Sequence, residues 1–274
     1  MKREEVSIGR GVQLRRWTTA LVVLGGVVPL LIWGGQGPFL LLCLVVVIMC
    51  QIEYGRLSGV VVSNLTRVVE ILVALCMPLA AMAAGERALM MALVGSLFFW
   101  MTGEMLGRAQ LDGVLQDLGT RMLGYIYGAV LPSYFVLIWR TPEGIRWIIL
   151  TIAITAVGDT AAYYAGSLWG RHKLRPRISP HKTVEGALAG LAGNLAGGLA
   201  CAAALFPSRM TTAGLLLPLA IGVAGQLGDL CESMIKRAAG VKDSGGILPG
   251  HGGILDRLDS LLFSAPVVYY WVVS

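Results

Sequence analysis

The sequence predicts an all-α, polytopic integral membrane protein. Hydrophobic residues make up 56% of its 274 residues, compared with roughly 45–50% in an average globular chain. Charged residues make up only 14%, about half of the usual share of roughly 25%. The mean hydropathy is +0.72, and a soluble domain of this length could not bury that much apolar surface.

The few charged residues delimit the membrane spans. A transmembrane helix needs about 20 mostly apolar residues. Residues 17–52 carry no charge, and the turn-forming segment 34–38 divides them into two spans. The other stretches that carry at most one charge are 71–85, 88–103, 122–139, 147–170, 186–208, 210–228 and 260–274. Together these stretches predict about nine transmembrane helices, with a tight turn at Glu86-Arg87.

The distribution of lysine and arginine orients these spans. Cytoplasmic loops of membrane proteins are enriched in both residues. With a cytoplasmic N-terminus and nine spans, 18 of the 22 basic residues fall in the N-terminal arm and the inner loops. An eight-span arrangement would turn one of the two most basic loops outward. We therefore predict that the N-terminus and the loops 170–183 and 233–257 are cytoplasmic.

The two halves of the chain differ in their chemistry. Residues 1–150 read as transmembrane helices with short connections, where Glu70 and Glu104 are interpreted as solvated or capping charges. Residues 151–274 carry all three histidines and seven of the 16 carboxylates. We expect one membrane domain overall, with the catalytic loops in the C-terminal half.

One face of the predicted eighth helix carries four polar residues. Asp229, Glu232, Ser233 and Lys236 are spaced i, i+3, i+4 and i+7, which places them on one helix face. A solvated helix end with an ion pair between Glu232 and Lys236 is the simpler interpretation. Asp229 argues against it, because an unpaired charge among apolar neighbours is unfavourable.

Asp256 and Asp259 are spaced i, i+3 at the start of the predicted ninth helix. The positive end of the helix dipole stabilises carboxylates at a helix N-terminus, but two of them repel each other unless a cation lies between them. Oxygen ligands of this kind suit Mg²⁺, which commonly binds one or two carboxylates together with substrate phosphates. The pattern predicts a metal–phosphate site that holds Mg²⁺, alone or with a second cation, among Asp229, Asp256 and Asp259.

Two loops supply basic groups for phosphates. Glycine-rich turns can bind phosphate oxygens through backbone N–H groups, and glycines at 245–253 lie between Lys236-Arg237, Lys242 and Arg257. In the other loop, Ser179 is the expected helix N-cap with Pro180 at the first helical position. This start would place Lys182 in the first turn, where an anion is favoured.

Two further residues have alternative interpretations. Asp159 lies inside the sixth span, where an ionisable group is costly and usually functional; the alternative is a carboxylate that only packs between helices. His251 is flanked by glycines and has three possible roles, which are phosphate binding, proton transfer and ordering of the loop. The glycines at 186, 190, 193 and 197 are interpreted as sites of close helix packing.

The segment 233–259 reads SMIKRAAGVKDSGGILPGHGGILDRLD. It resembles the signature of the CTP:phosphatidate cytidylyltransferases, also called CDP-diacylglycerol synthases. The close resemblance covers residues 155–266, including DTAAYYAG and GRHKLRPRISPHKTVEG farther upstream. The matching positions in the segment are Ser233, Lys236-Arg237, Lys242-Asp243, Pro249, His251-Gly252-Gly253, Asp256-Arg257 and Asp259.

The resemblance implies a membrane enzyme that makes CDP-diacylglycerol and pyrophosphate from CTP and phosphatidate in phospholipid biosynthesis. Its site would face the cytoplasm, at the cell membrane in a bacterium. The expected catalytic residues are Asp229, Asp256, Asp259, Lys182, Lys236, Arg237 and His251. The expected substrate-binding residues are Asp159, Ser179, Lys182, Glu232, Ser233, Lys242, Asp243 and Arg257.

Two alternatives remain at the level of the sequence. The acceptor could be another lipid phosphate, such as an isoprenoid one, because no feature of the sequence indicates recognition of acyl chains. A transporter could also place carboxylates and broken helices within the membrane. Membrane lipids are expected partners, nucleic acid is not, and the glycine-rich helices are compatible with a homodimer.

Overall fold

The structure, a computed structural model, describes residues 25–26, 29–30, 33–107, 112–207, 214, 216–246 and 252–274. Most of these residues are helical. The helices are α1 (Gln36–Leu57), α2 (Asn64–Ala84), α3 (Glu86–Gly107), α4 (Val114–Tyr125), α5 (Leu131–Trp139), α6 (Gly144–Trp169), α7 (Val184–Leu205), α8 (Leu216–Ala238) and α9 (Leu255–Val273). A π-helical turn, Ile126–Val130, joins α4 to α5. Two strands, β1 (Lys173–Arg175) and β2 (Ser179–Thr183), precede α7.

Six helical segments in the described part of the chain are long and apolar enough to cross a membrane. They are α1, α2, α3, the unit 114–139 formed by α4 and α5, α6 and α7. The prediction of a polytopic, mainly helical membrane protein is therefore confirmed. The count of nine stays a prediction, since α8 and α9 are not among the six and most of the first predicted span, 17–33, lies outside the described residues.

The break predicted between the helices around Glu86-Arg87 exists, but the turn lies at Gly85, and Glu86 and Arg87 already belong to α3. Only Gly85 separates α2 from α3. Its φ of 81° lies in the left-handed region, which glycine adopts without the steric penalty of a side chain. The backbone N–H of Gly85 still donates to Ala81, so α2 ends in a regular way and α3 begins at the next residue.

Glu70 and Glu104 are neither solvated nor capping charges, contrary to the sequence-based interpretation. Glu70 on α2 is buried and accepts hydrogen bonds from Arg67 at 2.9 Å and from Arg121 at 3.0 Å. Arg121 on α4 also donates to Glu104 on α3 at 2.5 Å and lies 4.5 Å from the ring centroid of Trp100. These contacts tie three spans together. The sequence hides them because the paired residues are 17 and 51 positions apart.

Helices α6 and α7 pack closely through glycines. A Cβ atom at Gly193 would lie 2.6 Å from Ala161 Cβ, and one at Gly197 would lie 2.9 Å from Val157 Cβ. Both distances are shorter than ordinary van der Waals contact, so only glycine fits there. The interpretation of this glycine series as a packing surface is confirmed for these positions.

The segment before α7 is a β-hairpin, which corrects two predictions. Strand β1 pairs with β2 in antiparallel register, with Arg175 opposite Ser179, so the fold is not strictly all-α. Ser179 is a strand residue and not a helix N-cap. The N-cap of α7 is Thr183, whose hydroxyl accepts a hydrogen bond from Gly186 N at 3.1 Å. Lys182 therefore lies on β2, before the helix rather than in its first turn.

The division of the chain at residue 150 falls inside α6. The division into 1–150 and 151–274 stays a prediction. Helix α9 packs along α8 and α5, so the last helix contacts elements of both halves.

Candidate active site

A cavity of about 720 Å³ lies between α6, the β-hairpin, α7, α8 and α9. It contains five of the predicted site residues, which lie on four different elements. Asp159 comes from α6, Lys182 from β2, Asp229 from α8, and Asp256 and Asp259 from α9. The structure thus brings together carboxylates that are up to 100 residues apart in the sequence.

Lys182 and Asp229 form an ion pair across the cavity wall. Both side chains remain partly exposed, at 28% and 32%, so they stay accessible to a molecule in the cavity. The hairpin brings them together, because strand β2 places Lys182 beside Asp229 on α8. The next residue, Thr183, is the N-cap of α7. A phosphate group that approached Asp229 would therefore meet an ammonium group beside the carboxylate.

Lys236 joins α8 to the start of α9. Its ammonium group contacts Glu232 one turn earlier on α8, as the spacing predicted, and lies 2.6 Å from Asp256 Oδ1. The side chain of Glu232 is only 1% exposed. A buried carboxylate is costly unless it is paired, so Lys236 stabilises Glu232 while it holds Asp256.

The second carboxylate oxygen of Asp256 is held by the glycine-rich loop. Asp256 Oδ2 accepts hydrogen bonds from Gly253 N at 2.9 Å and from Ser244 N at 3.0 Å, and it lies 2.9 Å from Ser244 Oγ. Together with Lys236, these donors restrain both oxygens of Asp256. The carboxylate is thus oriented by the protein before any ligand binds.

Asp159 and Asp259 complete the acidic side of the cavity. Asp159 is exposed to it, on α6. Asp259 lies one turn after Asp256 and accepts a hydrogen bond from Ser260 N at 2.7 Å. Placement of Asp159 in a cavity, rather than against a neighbouring helix, favours the functional interpretation of that residue over packing alone.

Several other predicted residues do not line this cavity in the described part of the chain. Arg237 donates to the backbone oxygens of Ile178 and Val241, and it therefore braces the hairpin and the loop. Lys242, Asp243 and Arg257 are exposed, while Ser233 is half-buried. The set outside the cavity lining is Ser179, Glu232, Ser233, Lys236, Arg237, Lys242, Asp243 and Arg257. His251 lies outside the described residues.

Glu53, near the C-terminal end of α1, was not predicted from the sequence. Its side chain is completely buried. Its carboxylate accepts hydrogen bonds from Ile254 N at 2.8 Å and Leu255 N at 3.0 Å, and it lies 3.1 Å from Ser244 Oγ. In the sequence, Glu53 only marks the end of a long charge-free stretch. No local signal separates it from a solvated charge, because its partners come 191 to 202 residues later.

Polar residues of the cavity that the sequence did not indicate come from the hairpin and α8. Lys173 and His181 line the cavity beside Lys182, although only Lys182 of this basic loop was expected to contact a phosphate. Gln226, which also lines it, donates to Ala187 O at 2.9 Å and joins α8 to α7.

The donor set fits a hard divalent cation, although no ready-made cage is present. Among the described residues, no three His, Cys, Asp or Glu side chains form an arrangement that could hold a metal ion. Four aspartates and two lysines nevertheless line one cavity. Carboxylates so close together can be ionised at once only with cations nearby. Oxygen ligands with substrate phosphates in the remaining positions are the usual surroundings of Mg²⁺.

A sequence model of the cytidylyltransferase family matches residues 14–274. The chain belongs to the cytidylyltransferase family. The resemblance to this family was first seen in the segment 233–259, and the match extends it over nearly the whole chain. The aspartates and lysines of the cavity lie within the matched residues.

Curated relatives of this chain come from several bacteria. It is 44% identical to a phosphatidate cytidylyltransferase of Synechocystis sp. over 186 residues, which are 58% of this chain and 63% of the relative. It is 41% identical to the phosphatidate cytidylyltransferase of Bacillus subtilis over 163 residues, which are 56% of this chain and 58% of the relative. With that of Staphylococcus epidermidis, the identity is 46% over 126 residues, covering 46% and 48% of the two chains. The chain therefore matches about half to just under two thirds of the length of these relatives.

Proposed function

We propose that this protein is a phosphatidate cytidylyltransferase, which makes CDP-diacylglycerol and pyrophosphate from CTP and phosphatidate. The observation that carries the proposal is the cavity in which Asp159, Asp229, Asp256 and Asp259 meet Lys182. Membership of the cytidylyltransferase family and the names of its curated relatives support the choice of substrates. Several apolar helices agree with a lipid acceptor.

The reaction needs orientation and charge stabilisation more than a special nucleophile. A phosphate oxygen of phosphatidate attacks the α-phosphorus of CTP and forms a new P–O bond. The bond from the α-phosphorus to the oxygen that bridges it to the β-phosphorus breaks at the same time. Pyrophosphate leaves with that bridging oxygen. Catalysis of such transfers rests mainly on positioning and electrostatics. The phosphatidate oxygen is already anionic at neutral pH, so it needs little activation.

The residues of the cavity and of the elements around it divide this work between them. Lys182 sits beside Asp229, so a phosphate that enters the cavity would replace this carboxylate as the partner of the ammonium group. Lys236, Arg237 and Arg257 lie outside the cavity lining, and they would add positive charge around Asp256, which Lys236 contacts. Asp229, Asp256 and Asp259 would hold Mg²⁺, alone or with a second cation. When bound, the cation supplies charge neutralisation of the phosphates.

The proposal is tested by incubating the purified protein with labelled CTP, Mg²⁺ and a panel of lipid phosphates. We expect label in the lipid fraction with phosphatidate and release of pyrophosphate in equal amount. Label that appears only with an isoprenoid phosphate would identify a different acceptor. Absence of label with every acceptor, in protein that is folded and supplied with Mg²⁺, would refute cytidylyl transfer. The mass of the protein in detergent tests the expected homodimer in the same preparation.

The membrane topology that goes with this function has nine spans, a cytoplasmic N-terminus and a cavity that opens to the cytoplasm, where CTP is found. The supporting observation is the placement of 18 of the 22 basic residues on one side. In an otherwise cysteine-free protein, we expect a cysteine at Arg175 or Lys242 to resist an impermeant thiol reagent in intact cells.

A cysteine at Arg87 is the matched control for this topology. Arg87 is exposed and falls on the outer side in the same arrangement, so it should be labelled from outside. Labelling of the Arg175→Cys protein in intact cells would contradict the topology and the access of cytosolic CTP to the cavity.

A further inference from the structure

Glu53 occupies an unusual position for a carboxylate. It lies at the end of α1, far from the cavity residues in sequence, and its side chain is 0% exposed. The three groups that surround its oxygens are all uncharged donors: Ile254 N, Leu255 N and the Ser244 hydroxyl. A buried carboxylate is favourable only where its oxygens are satisfied. The burial of the Glu53 carboxylate is therefore favourable only while Ser244, Ile254 and Leu255 keep their donors directed at it.

Glu53 takes the place of a helix cap for α9. The N-cap residue of α9, Ile254, offers no side-chain hydrogen bond of its own. The first backbone N–H groups of a helix have no partner within the helix. Glu53 accepts two of them, from Ile254 at 2.8 Å and Leu255 at 3.0 Å. The positive end of the helix dipole also favours a carboxylate there.

The same carboxylate adjoins the loop that holds Asp256. The Ser244 hydroxyl lies 3.1 Å from Glu53 Oε2 and 2.9 Å from Asp256 Oδ2. A hydroxyl group has one proton to donate, so the two carboxylates share one donor. Any displacement of Glu53 is transmitted to Asp256 through Ser244 and through the start of α9, one residue before Asp256.

Two glycines of the loop leave space for this carboxylate. A Cβ atom at Gly245 would lie 2.8 Å from Glu53 Oε1, and one at Gly253 would clash with Glu53 Oε2 and Ser244 Oγ. By contrast, a Cβ atom at Gly246 would meet nothing within 4 Å. The requirement for glycine at 245 and 253 is thus explained by the buried side chain that they surround.

We propose that Glu53 is a positioning residue for the candidate active site, which caps α9 and aligns Asp256 for its role. The expected effect of Glu53 on turnover rests on the proposed function. Its expected effect on the start of α9 rests on the structure alone. Glu53 does not line the cavity in the described part of the chain. Its action is therefore indirect, through the backbone of residues 253–255 and through Ser244.

The test is the Glu53→Gln variant, which keeps the size of the side chain but replaces one acceptor oxygen with an NH₂ group. That group would face a backbone N–H donor, so at least one hydrogen bond is lost. We expect amide exchange of Ile254 and Leu255 to quicken by about tenfold or more, as befits a lost hydrogen bond to a charged group. Exchange in the middle of α6 should be unchanged.

Turnover of the same variant should fall by about a hundredfold, because misplacement of a catalytic group by about 1 Å has an effect of this size. The KM for phosphatidate should change little, since Glu53 does not line the cavity in the described part of the chain. The Gly253→Ala variant should show the same faster exchange and lower turnover. Gly95→Ala on α3, where a Cβ atom would also meet nothing within 4 Å, should match the wild-type protein in both.

The two measurements separate this inference from the proposed function. Exchange at α9 is measured without substrates, so it tests the cap even if the protein transfers no cytidylyl group. Unchanged exchange of Ile254 and Leu255 in Glu53→Gln would overturn the capping role. Faster exchange with wild-type turnover would overturn the positioning role. If Glu53→Gln does not fold, the comparison of Gly253→Ala with Gly95→Ala decides both points.

Discussion

Replacing Asp256 with Asn is expected to lower turnover by about a hundredfold or more while the protein still folds. The substitution keeps the shape of the side chain but removes its charge, and loss of one group that stabilises developing charge has an effect of this order. It also places an NH₂ group near Lys236 or near the donors Ser244 N and Gly253 N, which now face a carboxylate. Steady-state assays with labelled CTP over a range of Mg²⁺ concentrations measure the change.

The matched control for Asp256→Asn is Asp112→Asn. Asp112 is exposed and does not line the cavity, so the same chemical change should alter turnover very little. Wild-type turnover and an unchanged Mg²⁺ requirement in Asp256→Asn would show that Asp256 does not take part in the reaction or in metal binding.

Replacing Lys236 with Met is expected to have the largest effect on stability. Lys236 pairs with Glu232, whose side chain is 1% exposed, and with Asp256. Loss of one partner leaves a buried charge uncompensated, which typically lowers the free energy of unfolding by about 3–5 kcal/mol. Turnover should also fall, since Asp256 loses one of the groups that orient it. Thermal unfolding in detergent measures the first effect.

A second substitution tests the cause of this loss. In the double variant Lys236→Met/Glu232→Gln, the buried carboxylate is replaced by a neutral amide, so part of the stability should return. Lys242→Met, which removes an exposed lysine, should leave the unfolding transition almost unchanged. Equal transitions for Lys236→Met and Lys242→Met would mean that the Glu232–Lys236 pair contributes nothing to stability.

Local patterns were sufficient for much of the site. The spacing of Asp229, Glu232 and Lys236 predicted a shared helix face, and the pairing of Glu232 with Lys236 follows from it. Asp256 and Asp259 were expected together at a helix start, and α9 begins at Leu255. These predictions succeeded because the distance between residues one helical turn apart is set by helix geometry alone.

The hairpin shows where local patterns fail. Ser179 followed by Pro180 satisfied the rule for an N-cap and the first helical position. Pairing of β2 with β1 instead makes Ser179 a strand residue, and the N-cap is Thr183. A strand depends on its partner as much as on its own residues, so a single segment could not reveal it.

The sequence by itself determined that this is a polytopic helical membrane protein of the cytidylyltransferase type with an acidic and basic site in its C-terminal half. Hydropathy and spacing are properties of short segments, and they need no knowledge of distant residues. Only the tertiary structure decided that Asp159, Lys182, Asp229, Asp256 and Asp259 share one cavity, and that Glu53 holds the start of α9 from 201 residues away. The physical reason is that hydrogen bonds and ion pairs act over a few ångströms in space, whatever the separation along the chain.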